Sequence, residues 1–333
     1  MLGLLDTLRQ IQGDGLGRLG FGPTECHYRI VATGARWRLR AYFCATAGPP
    51  LLIVAAPIKR PYIWDLDDSV SVVRRCLQNR LRLYLLEWMP PSRGDQDAGL
   101  ADYTTQSIGE AVATVARQAG GKIPFIMGHS LGGTLAAIFA AFDPSSVRGL
   151  VLLSTPLCFA PGSCRFRDVI IAMAPPTPSA IEVVPGSLLS QLSVMASPET
   201  FLWSRLVDAA LSMGDRRALA LHVRVERWAL DEFPLPGRLV HEILEWLYRD
   251  NRFCADHITE TAATRRKAKR RGQEHETPDA WWVEGCENRR QCPAKGMPHY
   301  KRYLSTCLPR HCRDRLANRL RRIIGEARIF ISA

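Results

Sequence analysis

Three observations on this 333-residue chain predict an α/β fold with a mostly parallel, doubly wound sheet. Short, continuously apolar runs recur, each the pattern of a strand buried on both faces. Segments with apolar residues at helical spacing alternate with those runs. Gly or Pro punctuates most of the junctions.

In chain order, residues 28–45 carry alternating Tyr28, Ile30, Trp37, Leu39, Ala41 and Phe43, which predicts an antiparallel hairpin leading into the sheet. Leu51 to Ala56 is the first buried strand, ended by Pro57. Ser69 to Asn79 spaces Val70, Val73 and Leu77 as a helix does, with Asp67, Asp68 and Ser69 offering cap chemistry. Leu81 to Trp88 is the next strand and completes a β-α-β unit. The pattern then repeats: Thr104 to Gln118 is an amphipathic helix stopped by Gly120-Gly121, Ile123 to Met127 a strand, Leu131 to Phe142 an Ala-rich helix, and Val147 to Ser154 a fourth buried strand. After Pro156 the chain turns Pro- and Ser-rich with helical patches, among them Phe201 to Met213 and Leu239 to Tyr248. The expected organisation is a core over 1–156, an inserted helical cap over 157–247, and a stretch of different character over 248–333.

At 47% hydrophobic residues the chain has the means to bury a core, which excludes disordered and fibrous classes. The net charge of +12 is unevenly placed: residues 255–333 hold 18 Lys+Arg against 9 Asp+Glu, so the first 254 residues are close to neutral. A nucleic-acid partner is therefore not inferred from charge. The longest apolar runs fall well short of the about 18 residues that a membrane span needs. Asp6 and Arg9 interrupt any secretory apolar core, and the ten cysteines lack the spacing of a disulfide framework. Cys44, Cys76 and Cys158 sit in or beside apolar segments as buried thiols would, so a cytoplasmic location is expected.

Gly128-His129-Ser130-Leu131-Gly132, followed by Gly133, matches the G-x-S-x-G pattern of a nucleophile elbow. The glycines are needed because a sharp strand-to-helix turn crowds backbone against the serine. An apolar strand enters the motif and an Ala-rich helix leaves it, as the elbow requires. Ser130 is thus the candidate nucleophile. The backbone N–H of Leu131, at the start of the new helix, is one candidate oxyanion donor. The second is expected from the loop Pro57-Ile58-Lys59-Arg60; Pro57 has no N–H, which leaves Ile58. The side chains of Lys59 and Arg60 read equally well as contributors to the site or as solvated loop charges.

Around this motif, Ala56-Pro57-Ile58-Lys59-Arg60-Pro61-Tyr62-Ile63-Trp64-Asp65-Leu66 resembles the P-x-x-N-R-P-Y-I-x-D-L segment of polyhydroxyalkanoate synthases, with Lys59 at their usual Asn. Leu83 to Pro91, with its Trp88 and paired prolines, is similar to that family's next strand and exit. Phe233 to Gly237, then Leu247 to Arg252, resemble its late cap helix and Tyr-x-x-Asn signature. The resemblance spans about residues 20–254. It implies an α/β-hydrolase fold, an acyl-enzyme mechanism without cofactor or metal, and as substrate a small-molecule ester, an acyl-CoA thioester or a hydroxyacyl polymer. Those synthases use cysteine where this chain has Ser130, which favours an ester or thioester hydrolase or a weak acyltransferase. Oligomeric state is left open.

The general base and acid are less well marked. The resemblance implies a Gly-x-x-Asp-like loop and a Gly-His-like loop near the C-terminus, and neither follows Cys254. His222 and His241 fall on cap-like helices and read as structural. His299 is the base candidate that remains, and Asp168, downstream of the strand at Val147 to Ser154, the acid candidate. Of the 79 residues from 255 onward only 11 are Leu, Ile, Val or Phe, too few for a packed core. Arg265 to Arg271 with Trp281, Trp282 and Tyr300 offers nucleic-acid chemistry. Cys286, Cys292, Cys307 and Cys312 with His299 and His311 are spaced too widely for a zinc ribbon or finger. A shifted reading frame, beginning where the resemblance stops, is the favoured account of this tail, with the C-terminal strands missing or altered. Ile323 to Ile331 is its strand-like exception.

Overall fold

Pro50–Val54 is buried at every residue and forms the central strand of the sheet. The computed structural model describes residues 2–43, 48–92, 94–174, 182–253 and 328–332. Among these, the main sheet comprises β1 (Tyr28–Thr33), β2 (Trp37–Tyr42), β3 (Pro50–Val54), β4 (Arg82–Trp88), β5 (Phe125–His129), β6 (Gly149–Leu153) and β7 (Arg328–Ser332), in spatial order β1-β2-β4-β3-β5-β6-β7. β2 runs antiparallel to both β1 and β4; the remaining neighbours are parallel. The sheet is mostly parallel, as the sequence predicts.

Period-2 alternation along β3 divides the core in two. Leu52 and Val54 join a cluster with Val112 and Val115 of α3 (Gly109–Gln118) and Leu135 and Phe139 of α4 (Leu131–Phe142). Leu51 and Ile53 face the other way, against Val73 and Cys76 of α2 (Val72–Gln78) and Trp64. Helices thus cover both faces. The indole N–H of the buried Trp88 donates to Ala55 O at 2.7 Å, fixing the exit of β3 beside β4. The cap of α2 differs from expectation: Ser71 accepts from Arg74 N at 2.8 Å, whereas Asp67 is occupied by the N–H and hydroxyl of Ser69 in a turn between the paired segments Asp65–Asp67 and Val70–Ser71.

The insertion contains α5 (Arg165–Met173), α6 (Gly186–Ala196), α7 (Ser204–Ser212), α8 (Arg216–Leu230) and α9 (Gly237–Glu242). Leu235, Leu239, Ile243 and Leu247 bury in the same cluster as the strands, so α9 and the turn after it pack as core. At the other end of the chain, α1 (Leu2–Leu16) joins the inserted layer. Asp6, far from marking only a failed secretory core, accepts from Ser187 N at the start of α6 (3.0 Å). No helix among the described residues is long and apolar enough to cross a membrane.

β7 pairs in parallel with β6, placing Ile329 opposite Leu150 and Ile331 opposite Leu152. This strand lies within the Ile323 to Ile331 stretch read as strand-like, apart from its last residue. His299, the Arg265 to Arg271 cluster, Trp281, Trp282, Tyr300 and the cysteines from Cys286 to Cys312 lie outside the described residues.

Candidate active site

β5 delivers the chain into Ser130, whose backbone takes φ 52° and ψ −131° before α4 begins at Leu131. A non-glycine residue at positive φ carries strain that its surroundings must hold. Here they do. Ser130 N donates to Leu153 O at 3.0 Å and Thr134 N to Ser130 O at 3.1 Å, so both sides of the turn are pinned. The neighbouring glycines are required by close approach: a Cβ on Gly128 would lie 2.5 Å from Gly133 Cα, on Gly132 2.5 Å from Val54 O, and on Gly133 2.0 Å from Thr155 Oγ1. The motif is therefore an elbow in geometry as well as in spelling.

The same contacts set the end of β3 against the start of α4. Gly132 lets the first turn of α4 rest on the end of β3, and three residues past Ala55 comes Ile58. The Leu131 N–H is among those that a helix leaves without an internal partner. Ile58 O accepts from Phe233 N at 2.8 Å, which holds the loop in place. Lys59 and Arg60 are clamps, the first largely buried and the second still partly solvated: Lys59 Nζ pairs with Glu232 at 2.6 Å and Arg60 Nε with Asp231 at 3.2 Å. Desolvation holds the Lys59 ammonium below the usual lysine range, against the raising effect of Glu232.

Beside Ser130, His129 meets the Trp64 ring edge-on at 6.3 Å between centroids. Its ring is accessible, yet desolvation by the surrounding protein lowers its pKa. The Tyr-x-x-Asn signature also has a local task. Asn251, at φ 49°, accepts from Phe159 N at 2.9 Å through its side-chain oxygen, and the Tyr248 ring packs tilted against Phe159 at 4.8 Å between centroids. Together they hold the segment after β6 whose Pro156 O receives the Thr134 hydroxyl at 2.8 Å.

Asp168 lies on α5. Its oxygens accept from Gly162 N at 3.1 and 3.2 Å and from Arg167 at 2.9 Å, and those bonds lower its pKa. None of its hydrogen-bond partners among the described residues is a histidine. Nor does any described side chain hydrogen-bond to Ser130 Oγ. Ser130 and Leu131 thus meet at the elbow, Ile58 lies three residues past the end of β3 that Gly132 touches, and Asp168 closes a turn of its own.

The model of the alpha/beta hydrolase fold family matches residues 65–231, half of the sequence. The chain belongs to the α/β-hydrolase family. Within this family it is polyhydroxyalkanoate synthase-like. It is 27% identical over 266 residues to the poly(3-hydroxyalkanoate) polymerase subunit PhaC of Synechocystis sp., covering 76% of this chain and 68% of that protein. It is 30% identical to the subunit of the same name from Haloarcula marismortui, over 63% of this chain and 45% of that protein. The match to the Allochromatium vinosum subunit, at 27%, covers 61% of this chain and 58% of that one. Against the last two, this α/β hydrolase spans about half the length of its relatives. Among solved structures, a carboxylesterase from Bacillus subtilis aligns over 71% of this chain and 70% of its own with a TM-score of 0.38 and 15% identity.

Proposed function

We propose that the chain is an acyl-transfer enzyme acting through an acyl-Ser130 intermediate. Ser130 Oγ attacks an ester or thioester carbonyl, its proton passing to a general base. The carbonyl oxygen becomes an oxyanion received by the Leu131 and Ile58 N–H groups. Collapse breaks the C–O or C–S bond, and the leaving alcohol or thiol takes the proton back. Water or an acceptor hydroxyl then resolves the acyl-enzyme, giving hydrolysis or transfer. A serine in place of a thiolate inclines the balance to hydrolysis, because an oxygen ester exchanges acyl groups with thioesters less readily. The base is assigned to His299. Asp168 is assigned the acid role as a weaker part of the same reading, since its carboxylate is already committed to Gly162 and Arg167.

The proposed substrate is a small-molecule ester, an acyl-CoA thioester or a hydroxyacyl polymer, the last in keeping with relatives named poly(3-hydroxyalkanoate) polymerase. A cytoplasmic site of action is part of the proposal, supported by Cys26 and Cys76, which are thiols rather than disulfide partners.

The observation that carries this reading is the strained backbone of Ser130 inside its glycine cage. A fluorophosphonate probe should label the full-length protein at Ser130, and Ser130→Ala should abolish the labelling without unfolding the chain. Folded protein that resists the probe would instead identify a non-catalytic family member.

A further inference from the structure

We propose that Glu232 is a positioning residue for the oxyanion loop, holding the Ile58 amide in register with Leu131 by fastening that loop to the inserted helical layer. This rests on the reading of Ser130 as nucleophile and Ile58 N–H as oxyanion donor.

Residues 58–60 are paired with the chain that leaves α8. Phe233 N donates to Ile58 O at 2.8 Å, Arg60 N to Asp231 O at 3.4 Å, and Lys59 forms an isolated antiparallel bridge with Glu232. Trp228 Nε1 donates to Arg60 O at 2.8 Å from the last turn of α8. The loop is therefore an edge of the inserted layer as much as an exit of β3.

Glu232 is the point where the layer converges. Its side chain is 4% exposed, and three side chains from three directions reach it through four hydrogen bonds. Oε1 takes Lys59 Nζ at 2.6 Å from the loop, Arg9 Nη2 at 2.9 Å from α1, and the Ser190 hydroxyl from α6; Oε2 takes Arg9 Nε at 3.2 Å. Lys59 Nζ also donates to Ala229 O at 2.5 Å. A buried carboxylate shared by two cations is a poor device for stability alone, since desolvation offsets most of the attraction. Its value lies in geometry: a satisfied buried network admits one arrangement of its members. Lys59 is the only one of those members next in sequence to an oxyanion donor, so displacement of the network acts first on Ile58.

Losing one oxyanion donor typically costs 10²–10³ in rate, and misplacing one costs less. Glu232→Gln in the full chain should therefore slow fluorophosphonate labelling of Ser130 by about 10- to 100-fold per folded molecule. On a short-chain p-nitrophenyl ester, kcat should fall by a similar factor with KM nearly unchanged. Lys59→Gln should act likewise, Lys59→Arg should restore part of the rate, and the double variant should be no slower than either single one. Glu226→Gln breaks the pair with Arg205 in the same layer and serves as the control for a merely structural effect, losing stability but not rate. Wild-type labelling rates in both folded Glu232→Gln and Lys59→Gln would overturn the proposal and leave the nucleophile assignment standing. A wild-type protein that never labels would remove both.

Discussion

The region around α4 and the layer formed by α1 and α5–α8 are built on opposite terms. In α4 every residue from Gly132 to Ala141 is buried, and the helix is apolar on all sides because strands or helices meet it all round. In α7 the arrangement is turned outward: Leu206, Val207 and Leu211, with Trp203 just before them, are 51–60% exposed, while Arg205 pairs with Glu226 of α8. The first region is fixed by close packing, which tolerates almost no added atom. The second is fixed by charges reaching across long sequence distances, such as Arg9 to Glu232 and Arg224 to Asp67. A chain made this way holds Ser130 by shape and its inserted layer by polar contacts.

The comparison is tested hardest at Gly132. Gly132→Ala sets a Cβ against the backbone of Val54 and Ala55, which no rotamer change relieves, and should cost about 3 kcal/mol or more in a urea melt. A tolerated alanine there would show that the elbow is looser than its contacts imply.

A smaller effect is expected where the core itself borrows the charged mode of construction. Glu87 on β4 is 2% exposed and accepts from Arg38 at 2.6 Å and Arg40 at 2.7 Å. Desolvation works to raise its pKa, but the hydrogen bonds and charges of Arg40 and Arg38 outweigh it and hold the carboxyl below the usual glutamate value. Since the folded pKa is the lower one, this stabilisation is complete above about pH 4.5 and is lost as pH falls through the folded value. Urea midpoints of wild type and Glu87→Gln should therefore converge as pH drops below about 4.5. A constant gap between them would show that Glu87 contributes by shape rather than by charge.

The smallest effect belongs to the outward face. Leu206→Ala should change stability by no more than about 0.5 kcal/mol, whereas a leucine cut to alanine inside α4 would cost about 2–5 kcal/mol. A large loss at Leu206 would mean that α7 is covered in solution.

Much of the first region was legible in the sequence and little of the second. Leu131–Phe142 has the bounds that its Ala-rich pattern predicts, and the strands fall within a residue or two of their apolar runs, because both depend on local pattern alone. G-x-S-x-G could be read as an elbow since each glycine answers a contact only a few residues or one strand away. The clamps were not legible. Lys59 and Arg60 look like loop charges until Glu232 and Asp231, some 170 residues on, are folded against them. α1 is weakly marked in the sequence although Leu4, Leu8 and Ile11 stand at helical spacing, because its polar residues Asp6 and Arg9 find their partners only when α6 and α8 are present. Ser71 displaced the expected caps of α2 since Asp67 was already spent on Ser69.

The unusual backbone of Ser130 has a consequence for quality control in the laboratory. That conformation exists only while β5, β6 and α4 are docked together, for each supplies one of the bonds or contacts holding it. If Ser130 is the nucleophile proposed above, reactivity at this serine counts correctly folded molecules, and a preparation can be graded by the fraction of chains that accept one equivalent of probe, with no substrate in hand.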